Sequence, residues 1–259
     1  MDEIRIVFFD IDGTLIDMER KEISAKTLEA LRRLKERNVI LCLATGRGPL
    51  TLPHFDGVEF DAFLTFNGSY CFNRTQTIFS HPLLAEDVKT IVQNAALIHR
   101  PVSIATKDRM LANGKDADLI EYYAFAKREV QVSDEFEEAL KGEVYQVMLG
   151  CRKAERPLLL QGTRHAKIAA WWDRAVDIIP ASGGKGVGIQ QILSHYHLEP
   201  SSALAFGDGD NDIEMLQAVG HGVAMGNASE RLKALASDIC GPVAQDGVYH
   251  YCLAHNLLG

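Results

Sequence analysis

The 259-residue sequence is short of the features that mark secreted, membrane-spanning or zinc-ribbon proteins. Its cysteines are odd in number and scattered, and none forms a CxxC pair: Cys42, Cys71, Cys151, Cys240 and Cys252. That pattern argues against a disulfide framework or a zinc site and favours a reducing compartment. The apolar run from Ile4 breaks at Asp10, too soon for a signal peptide or a membrane-spanning helix. We therefore expect a cytoplasmic protein.

Positive charge is also scarce. The chain has 27 lysines and arginines against 35 acidic residues, for a net charge of −8. This balance argues against general binding to nucleic acid or to an anionic membrane surface. It does not exclude a small anionic ligand, because a local group of cations can outweigh the overall field. A small metabolite as partner is therefore compatible with the charge, and so is either a monomer or a small homo-oligomer.

Strand-like and helix-like segments alternate near both ends of the chain. Apolar runs at Ile4–Phe9, Val39–Ala44 and Ala62–Phe66 predict buried strands, and Ser24 is placed to cap a helix between the first two. The rhythm returns with a helix at Gly186–His195 and a strand at Ala203–Phe206. Alternating strands and helices predict an α/β fold with a Rossmann-like parallel sheet.

The middle of the chain has a different pattern, because its predicted strands come partly in hairpin-like pairs. We interpret it as a separate α+β domain inserted into the α/β core. The predicted core comprises residues 1–81 and 181–259, and the inserted domain residues 82–180. Ligands of parallel α/β sheets bind at the carboxyl ends of the strands, so the core is expected to carry the site.

Two acidic segments follow predicted strands of that core. In the first, Asp10-Ile11-Asp12-Gly13-Thr14, the two acids are spaced to project to the same side of a strand end. In the second, Gly207-Asp208-Gly209-Asp210-Asn211-Asp212, three acids crowd the end of a buried strand. Such carboxylates repel each other unless a cation intervenes, and magnesium would relieve the repulsion. The plainer alternatives are a capped turn and a solvated acidic surface.

Two further segments are suited to binding phosphate. Thr45-Gly46-Arg47 offers a hydroxyl and backbone N–H groups at a strand end. Lys185-Gly186 follows a glycine-rich loop and opens a helix, where N–H groups and a lysine can face an anion. Each has a plainer reading, an ordinary turn for the first and a flexible linker for the second.

Taken together, the four segments resemble the motifs of the haloacid dehalogenase superfamily. DIDGT and GDGDND match its first and fourth motifs, and TGR and the Lys-Gly pair match the second and third in the right order. Asn67-Gly68 and the stretch from Gly222 to Ala228 are similar to the Cof-type sugar phosphatase branch. In that branch a large cap domain lies between the second and third motifs, where the inserted domain is predicted here.

The resemblance implies a role for each matching residue. Asp10 would be the nucleophile and a magnesium ligand, and Asp12 would act as acid and base while its backbone carbonyl binds the metal. Asp208 would be the remaining protein ligand of Mg²⁺. The residues expected to hold the phosphoryl group are Thr45, Gly46, Lys185 and Asn211. Supporting positions are Gly13, whose flexibility lets the backbone turn closely, and Arg47, Asn67 and Asp212.

Asp12 separates the chemistries found in this superfamily. Its transport ATPases have threonine there, and its dehalogenases lack the second acid. The resemblance therefore implies a magnesium-dependent phosphatase that acts on a small metabolite through a phospho-aspartate, with the inserted domain as a lid. A sugar phosphate is the commonest substrate, and a phosphorylated cofactor such as pyridoxal phosphate stays open. The alternatives are a phosphomutase, a phospho-accepting signalling module and a silent binding protein.

Overall fold

The computed structural model of the protein describes residues 3–126, 128–170 and 172–259. Residues 1, 2, 127 and 171, which fall within the predicted domains, lie outside that description. The strands in the described part are β1 (Ile6–Phe9), β2 (Ile40–Ala44), β3 (Ala62–Thr65), β4 (Tyr70–Asn73), β5 (Thr77–Ser80), β6 (Val102–Ala105), β7 (Met110–Ala112), β8 (Gln146–Gly150), β9 (Ala166–Ala169), β10 (Ala175–Pro180), β11 (Ala203–Gly207), β12 (His221–Ala224) and β13 (Asp238–Ile239). The helices are α1 (Ala25–Glu36), α2 (Ala85–Leu97), α3 (Ala117–Phe125), α4 (Phe136–Ala139), α5 (Arg156–Leu159), α6 (Lys185–Tyr196), α7 (Ile213–Gln217), α8 (Glu230–Leu235) and α9 (Gly247–Ala254).

The chain divides into two compact units. The first contains the chain as far as Gly46, together with Pro53–Ser80 and Lys185–Gly259. The second contains Arg47–Leu52 and His81–Gly184. Within the described ranges, no helix combines the length and apolar character needed to cross a membrane.

The first unit is built on an eight-stranded sheet in the order β13-β12-β11-β1-β2-β3-β4-β5. From β13 to β3 every pair is parallel, which confirms the predicted parallel-sheet core. Phe9 at the end of β1 is in register with Phe206 of β11 and Leu43 of β2. The carboxyl ends of these three central strands therefore meet at one edge of the sheet.

Local sequence signals explain how α1 covers this sheet. The Ser24 hydroxyl accepts a hydrogen bond from the backbone N–H of Thr27 at 3.0 Å and so caps the helix, as expected. Leu31 and Leu34 are fully buried on its inner face. Asn38 then adopts a left-handed conformation with φ 59° and turns the chain into β2.

One part of the core differs from the prediction. The last two strands, β4 and β5, are antiparallel to their neighbours, so the sheet is mixed rather than wholly parallel. The turn signal at Asn67-Gly68 does reverse the chain, through a 3₁₀ turn at Phe66–Gly68. The two strands themselves were not predicted, because each is four residues long and only partly buried and so carries little periodic signal.

The second unit is an antiparallel sheet in the order β7-β6-β8-β10-β9, which agrees with the expected α+β class. Helix α2 packs on one face and forms an apolar core with the sheet, in which Ile91, Val147 and Ile178 are fully buried. Helix α3 lies against β8 and β10. Helices α4 and α5 are single turns of four residues each.

Candidate active site

Two acids from different loops meet around one buried lysine in the first unit. Lys185, the first residue of α6, has a side chain with no exposed surface. Its Nζ donates to Asp10 Oδ1 at 2.6 Å and to Asp212 Oδ1 at 2.5 Å. Asp10 follows β1, and Asp212 lies beyond β11. The first, third and fourth sequence motifs therefore converge on a single ammonium group.

Asp212 also shapes the loop that carries Asp208. Its second carboxylate oxygen accepts hydrogen bonds from the backbone N–H groups of Asp208 at 2.9 Å and Gly209 at 3.0 Å. Both oxygens of Asp212 are thus engaged by protein donors. This residue is suited to holding Lys185 and the Asp208 loop in place, and less suited to binding a ligand of its own.

The two acidic loops approach each other at Gly13. This residue has φ 86°, and a Cβ built on it would lie 2.2 Å from Asp208 Oδ2. Any side chain here would collide with that carboxylate, so only glycine permits the approach. The Thr14 hydroxyl donates to Asp208 Oδ1 at 3.4 Å. Sequence reasoning gave Thr14 no role, although its place in the DIDGT segment was a signal for one.

Burial makes this group of acids hard to ionise. It raises the pKa of Asp10 to about 7; the Lys185 ammonium opposes the change, while Asp212 and Asp12 add to it. The pKa of Asp208 is raised to about 8, again by burial first and then by Asp10 and Asp212. Burial alone would lower the pKa of Lys185, but the carboxylates of Asp10 and Asp212 raise it above its ordinary value. The lysine stays charged, and one cation faces several carboxylates.

The donor set fits a hard divalent cation. Carboxylate oxygens of Asp10, Asp208 and Asp212 all lie within 4.8 Å of one another. Oxygen ligands of this kind are those that magnesium takes in proteins. Because Asp212 is already engaged through both oxygens, Asp10 and Asp208 are the side chains best placed to bind the ion. A divalent charge would also offset the burial and the repulsion that raise their pKa values.

Asp12 and Thr45 lie at the same sheet edge, after β1 and β2. Asp12 is half-buried, and repulsion from its negative charge contributes to the raised pKa of Asp10. Thr45 is buried at the end of β2, where its N–H donates to the carbonyl of Leu64 at 2.9 Å. Arg47 belongs to the second unit, and its guanidinium donates to the carbonyl of Thr51 at 3.1 Å.

Asn67 connects the second motif to the fourth. It is 3% exposed and adopts a left-handed conformation with φ 52°. Its backbone N–H donates to the carbonyl of Thr45 at 3.0 Å. Its side-chain oxygen accepts a hydrogen bond from Asn211 Nδ2 at 3.3 Å. A Cβ built on Gly46 would lie only 3.1 Å from Asn67 Nδ2, so the two residues pack closely. Asn67 thus links the Thr45 backbone to the Asn211 side chain, and both residues are predicted to hold phosphate.

Comparison with known proteins decides the family. A profile of the haloacid dehalogenase-like hydrolases matches residues 7–252. The chain belongs to this family. The putative phosphatase YkrA of Bacillus subtilis is 29% identical over 246 residues, which cover 94% of this chain and 95% of that protein. The HMP-PP phosphatase of Escherichia coli O157:H7 is 30% identical over 261 residues, 95% of this chain and 94% of its own.

Solved structures place this haloacid dehalogenase-like hydrolase in the Cof-type branch. The subclass IIB sugar phosphatase BT4131 superposes with a TM-score of 0.88 and 28% identity, covering 98% of this chain and 99% of its own. A structure from work on a trigonal-bipyramidal intermediate in a phosphoryl-transfer superfamily reaches a TM-score of 0.92 at 28% identity, with the same coverage. The predicted family and fold are confirmed, and so is the enzyme class, a phosphoric monoester hydrolase.

Proposed function

We propose that this hydrolase is a magnesium-dependent phosphatase that acts on a small phosphorylated metabolite through a phospho-aspartate at Asp10. The observation that carries the proposal is the buried Lys185, which bridges Asp10 and Asp212 beside the Asp208 carboxylate. Phosphoryl transfer depends mainly on positioning and on neutralising oxygen charge. A fixed ammonium group among buried carboxylates meets both needs.

In the first step, an oxygen of Asp10 forms a bond to phosphorus as the bond from phosphorus to the ester oxygen breaks. The leaving oxygen takes its proton from the Asp12 carboxyl group, so the product alcohol departs neutral. Lys185 stays close to the reacting centre through its 2.6 Å hydrogen bond to Asp10. Thr45, Gly46 and Asn211 would hold the other phosphoryl oxygens.

In the second step, water gives a proton to the Asp12 carboxylate and attacks phosphorus. The bond between phosphorus and Asp10 breaks, inorganic phosphate leaves, and both acids return to their starting states. Splitting the reaction through an aspartate replaces one difficult displacement with two easier ones. When bound, Mg²⁺ supplies positive charge for the oxygens of the transferring group. Asp10, Asp208 and the backbone carbonyl of Asp12 would hold it.

The relatives guide the choice of substrates to test. One is a sugar phosphatase and another an HMP-PP phosphatase. A third, YitU of Bacillus subtilis, is a 5-amino-6-(5-phospho-D-ribitylamino)uracil phosphatase, 28% identical over 261 residues. All three names describe small phosphorylated compounds. We propose that the substrate belongs to this class and that sugar phosphates are the first to try.

The test is phosphate release from a panel of small phosphorylated metabolites, measured with magnesium, with chelator, and for Asp10→Asn. We expect release that needs magnesium and falls about a thousandfold or more in the variant. Asp56→Asn is a matched control, because its carboxyl group is almost fully exposed in the same unit. Release that survives both the chelator and Asp10→Asn would refute the mechanism. Transfer that needs a sugar bisphosphate activator would indicate a phosphomutase instead.

A further inference from the structure

One polar side chain outside the four motifs makes two directed hydrogen bonds across the active-site edge. Asn227 lies in the loop between β12 and α8. Its Nδ2 donates to the carbonyl of Gly13 at 2.8 Å, and its Oδ1 accepts from the backbone N–H of Val243, also at 2.8 Å. The residue is exposed, so nothing in the apolar packing requires an asparagine here.

The loop around Asn227 runs alongside the second acidic segment. The N–H of Met225 donates to the carbonyl of Gly207 at 2.9 Å, and the N–H of Ser229 donates to the carbonyl of Asp208 at 3.0 Å. These backbone bonds fix the loop to the strand end that carries Asp208. From this fixed position, Asn227 reaches the opposite acidic segment through Gly13. It therefore connects the two halves of the acid cluster.

Gly13 is the point at which the two acidic loops come closest to each other. Its backbone packs so closely on Asp208 that a Cβ would lie 2.2 Å from Oδ2. A small rotation of the Gly13 peptide would change the distance between the two acidic loops. The hydrogen bond from Asn227 holds the Gly13 carbonyl in one orientation, which points toward the Asn227 amide.

We propose that Asn227 is a positioning residue that holds the Asp10–Thr14 loop against Asp208 and thereby sets the affinity for magnesium. The inference rests on the proposed function, since it assumes that Asp10 and Asp208 share the ion. Asparagine suits the task because its side-chain Nδ2 donates to the Gly13 carbonyl, while the backbone hydrogen bonds of Met225 and Ser229 hold its loop in place. The role is conformational, and Asn227 need not touch the metal or the substrate.

The test compares three variants by calorimetric titration of each protein with MgCl₂ alone, at a temperature where all of them are folded. Asn227→Ala removes both hydrogen bonds. Val243→Pro removes only the backbone N–H that donates to Asn227 Oδ1. Proline is tolerated at this position because it is the first residue of the 3₁₀ turn at Val243–Gln245. Ser24→Ala removes the distant cap of α1 and controls for a general loss of stability.

We expect Asn227→Ala to raise the half-saturating magnesium concentration about fivefold, the effect of one lost hydrogen bond. The same rise should appear in the magnesium dependence of phosphate release. Val243→Pro and Ser24→Ala should leave the half-saturating concentration within twofold of the wild type. A lower melting temperature alone would not move this quantity.

The outcomes separate this inference from the proposed function. Equal magnesium affinity in the wild type and Asn227→Ala would overturn the positioning role and leave the phosphatase mechanism intact. An equal loss in Val243→Pro would show that Asn227 acts through residue 243, and would also overturn it. If magnesium does not bind the wild type at all, the proposed metal site fails, and the inference fails with it.

Discussion

Each unit contains a group of acids and cations, and the two groups are balanced in opposite ways. In the first unit, Lys185 contacts two buried carboxylates and Asp208 lies beside them. In the second unit, the buried carboxylate of Asp118 accepts hydrogen bonds from the guanidinium groups of Arg100 at 3.1 Å, Arg152 at 3.0 Å and Arg174 at 2.9 Å. In the first unit one cation faces several carboxylates, and in the second unit three cations face one buried carboxylate.

The pKa values follow from this difference. Burial alone would raise the pKa of Asp118, but Arg174, Arg152 and Arg100 hold it below its ordinary value. The pKa values of Asp10 and Asp208 are raised instead, to about 7 and about 8. Asp118 is already paired and has no need of a further cation. The first group gains stability only when another positive charge arrives, and this imbalance distinguishes a candidate metal site from a structural ion-pair network.

The largest effect is expected for Lys185→Met, which keeps the length of the side chain but removes its charge. Phosphate release should fall about a hundredfold to a thousandfold, since a fixed donor to the reacting group is lost. In chelator, the free energy of unfolding at neutral pH should fall by about 3–5 kcal/mol, because Asp10 and Asp212 lose their shared cation. Urea unfolding and phosphate release measure the two effects.

Lys35→Met is the matched control for this variant. Lys35 contacts Asp61 at 2.6 Å in the same unit, but about a third of both side chains is exposed. A pair that is exposed to this extent contributes about 0–1 kcal/mol, and activity should not change. If Lys185→Met kept its activity within tenfold of the wild type, the imbalance of charge would not be catalytic.

Asp118→Asn tests the opposite group. Arg100 and Arg174 keep other partners, Glu155 and Glu121 respectively, so the loss should be smaller than for Lys185. We expect about 2–3 kcal/mol less stability and unchanged kcat and KM at a temperature where the variant is folded. Glu138→Gln, which breaks an exposed pair with Lys141, should have no measurable effect. A large loss of kcat without a loss of stability would contradict a purely structural network.

The two groups also differ in how far the sequence predicts them. Parallel strands end at one edge of a sheet, so acids that follow β1 and β11 are expected to meet there, and the structure brings Asp10 and Asp208 together. The network around Asp118 gave no such signal. Arg100, Arg152 and Arg174 are far apart in sequence. They flank β6, β8 and β10, and the antiparallel pairing of these strands brings them to one carboxylate.

Asn227 and the β4–β5 hairpin were unpredictable for related reasons. An exposed asparagine in a loop has no periodicity, and its importance depends on which carbonyl the fold places opposite it. Strands β4 and β5 are short and half-buried, so the sheet that they extend stabilises them more than their own pattern does. Short-range motifs thus predicted the centre of the site, while its supports depend on tertiary contacts.

Magnesium binding should depend on pH in a way that only the first group can produce. Without metal, Asp10 and Asp208 retain protons up to about pH 7 and 8, and these protons must leave when the ion binds. The half-saturating magnesium concentration should therefore rise as pH falls from 8 to 6, by up to about tenfold per pH unit for each proton released. Calorimetric titration at several pH values measures it, and a flat profile would contradict the raised pKa values.

The same shifts predict the stability of the metal-free protein. A carboxyl group whose folded pKa is raised stabilises the fold below its unfolded pKa, near 3.8, and loses that contribution as pH rises through the folded value. Unfolding midpoints in chelator should therefore decline up to about pH 8 and then level off. Excess magnesium should reverse the decline. Asp208→Asn should flatten the profile in chelator and abolish the response to magnesium.

The smallest effect separates a raised pKa from function. Asp177 on β10 is buried in the second unit, and burial raises its pKa to about 6 although Tyr122 and Gln146 hydrogen bond to it. These partners are neutral. Asp177 therefore has a pKa raised by burial, like Asp10, but no lysine and no second acid beside it.

Asp177→Asn should be more stable than the wild type above pH 6, by roughly 1–3 kcal/mol, because the wild type must either keep a proton or bury a charge. The gain should shrink as pH falls from 6 to 4, where both folded and unfolded carboxyls hold their protons. Urea unfolding across this range measures it, while magnesium affinity should stay unchanged. If magnesium affinity changed as well, a raised pKa alone could not distinguish the two units, and the comparison would have to rest on the geometry of the acids.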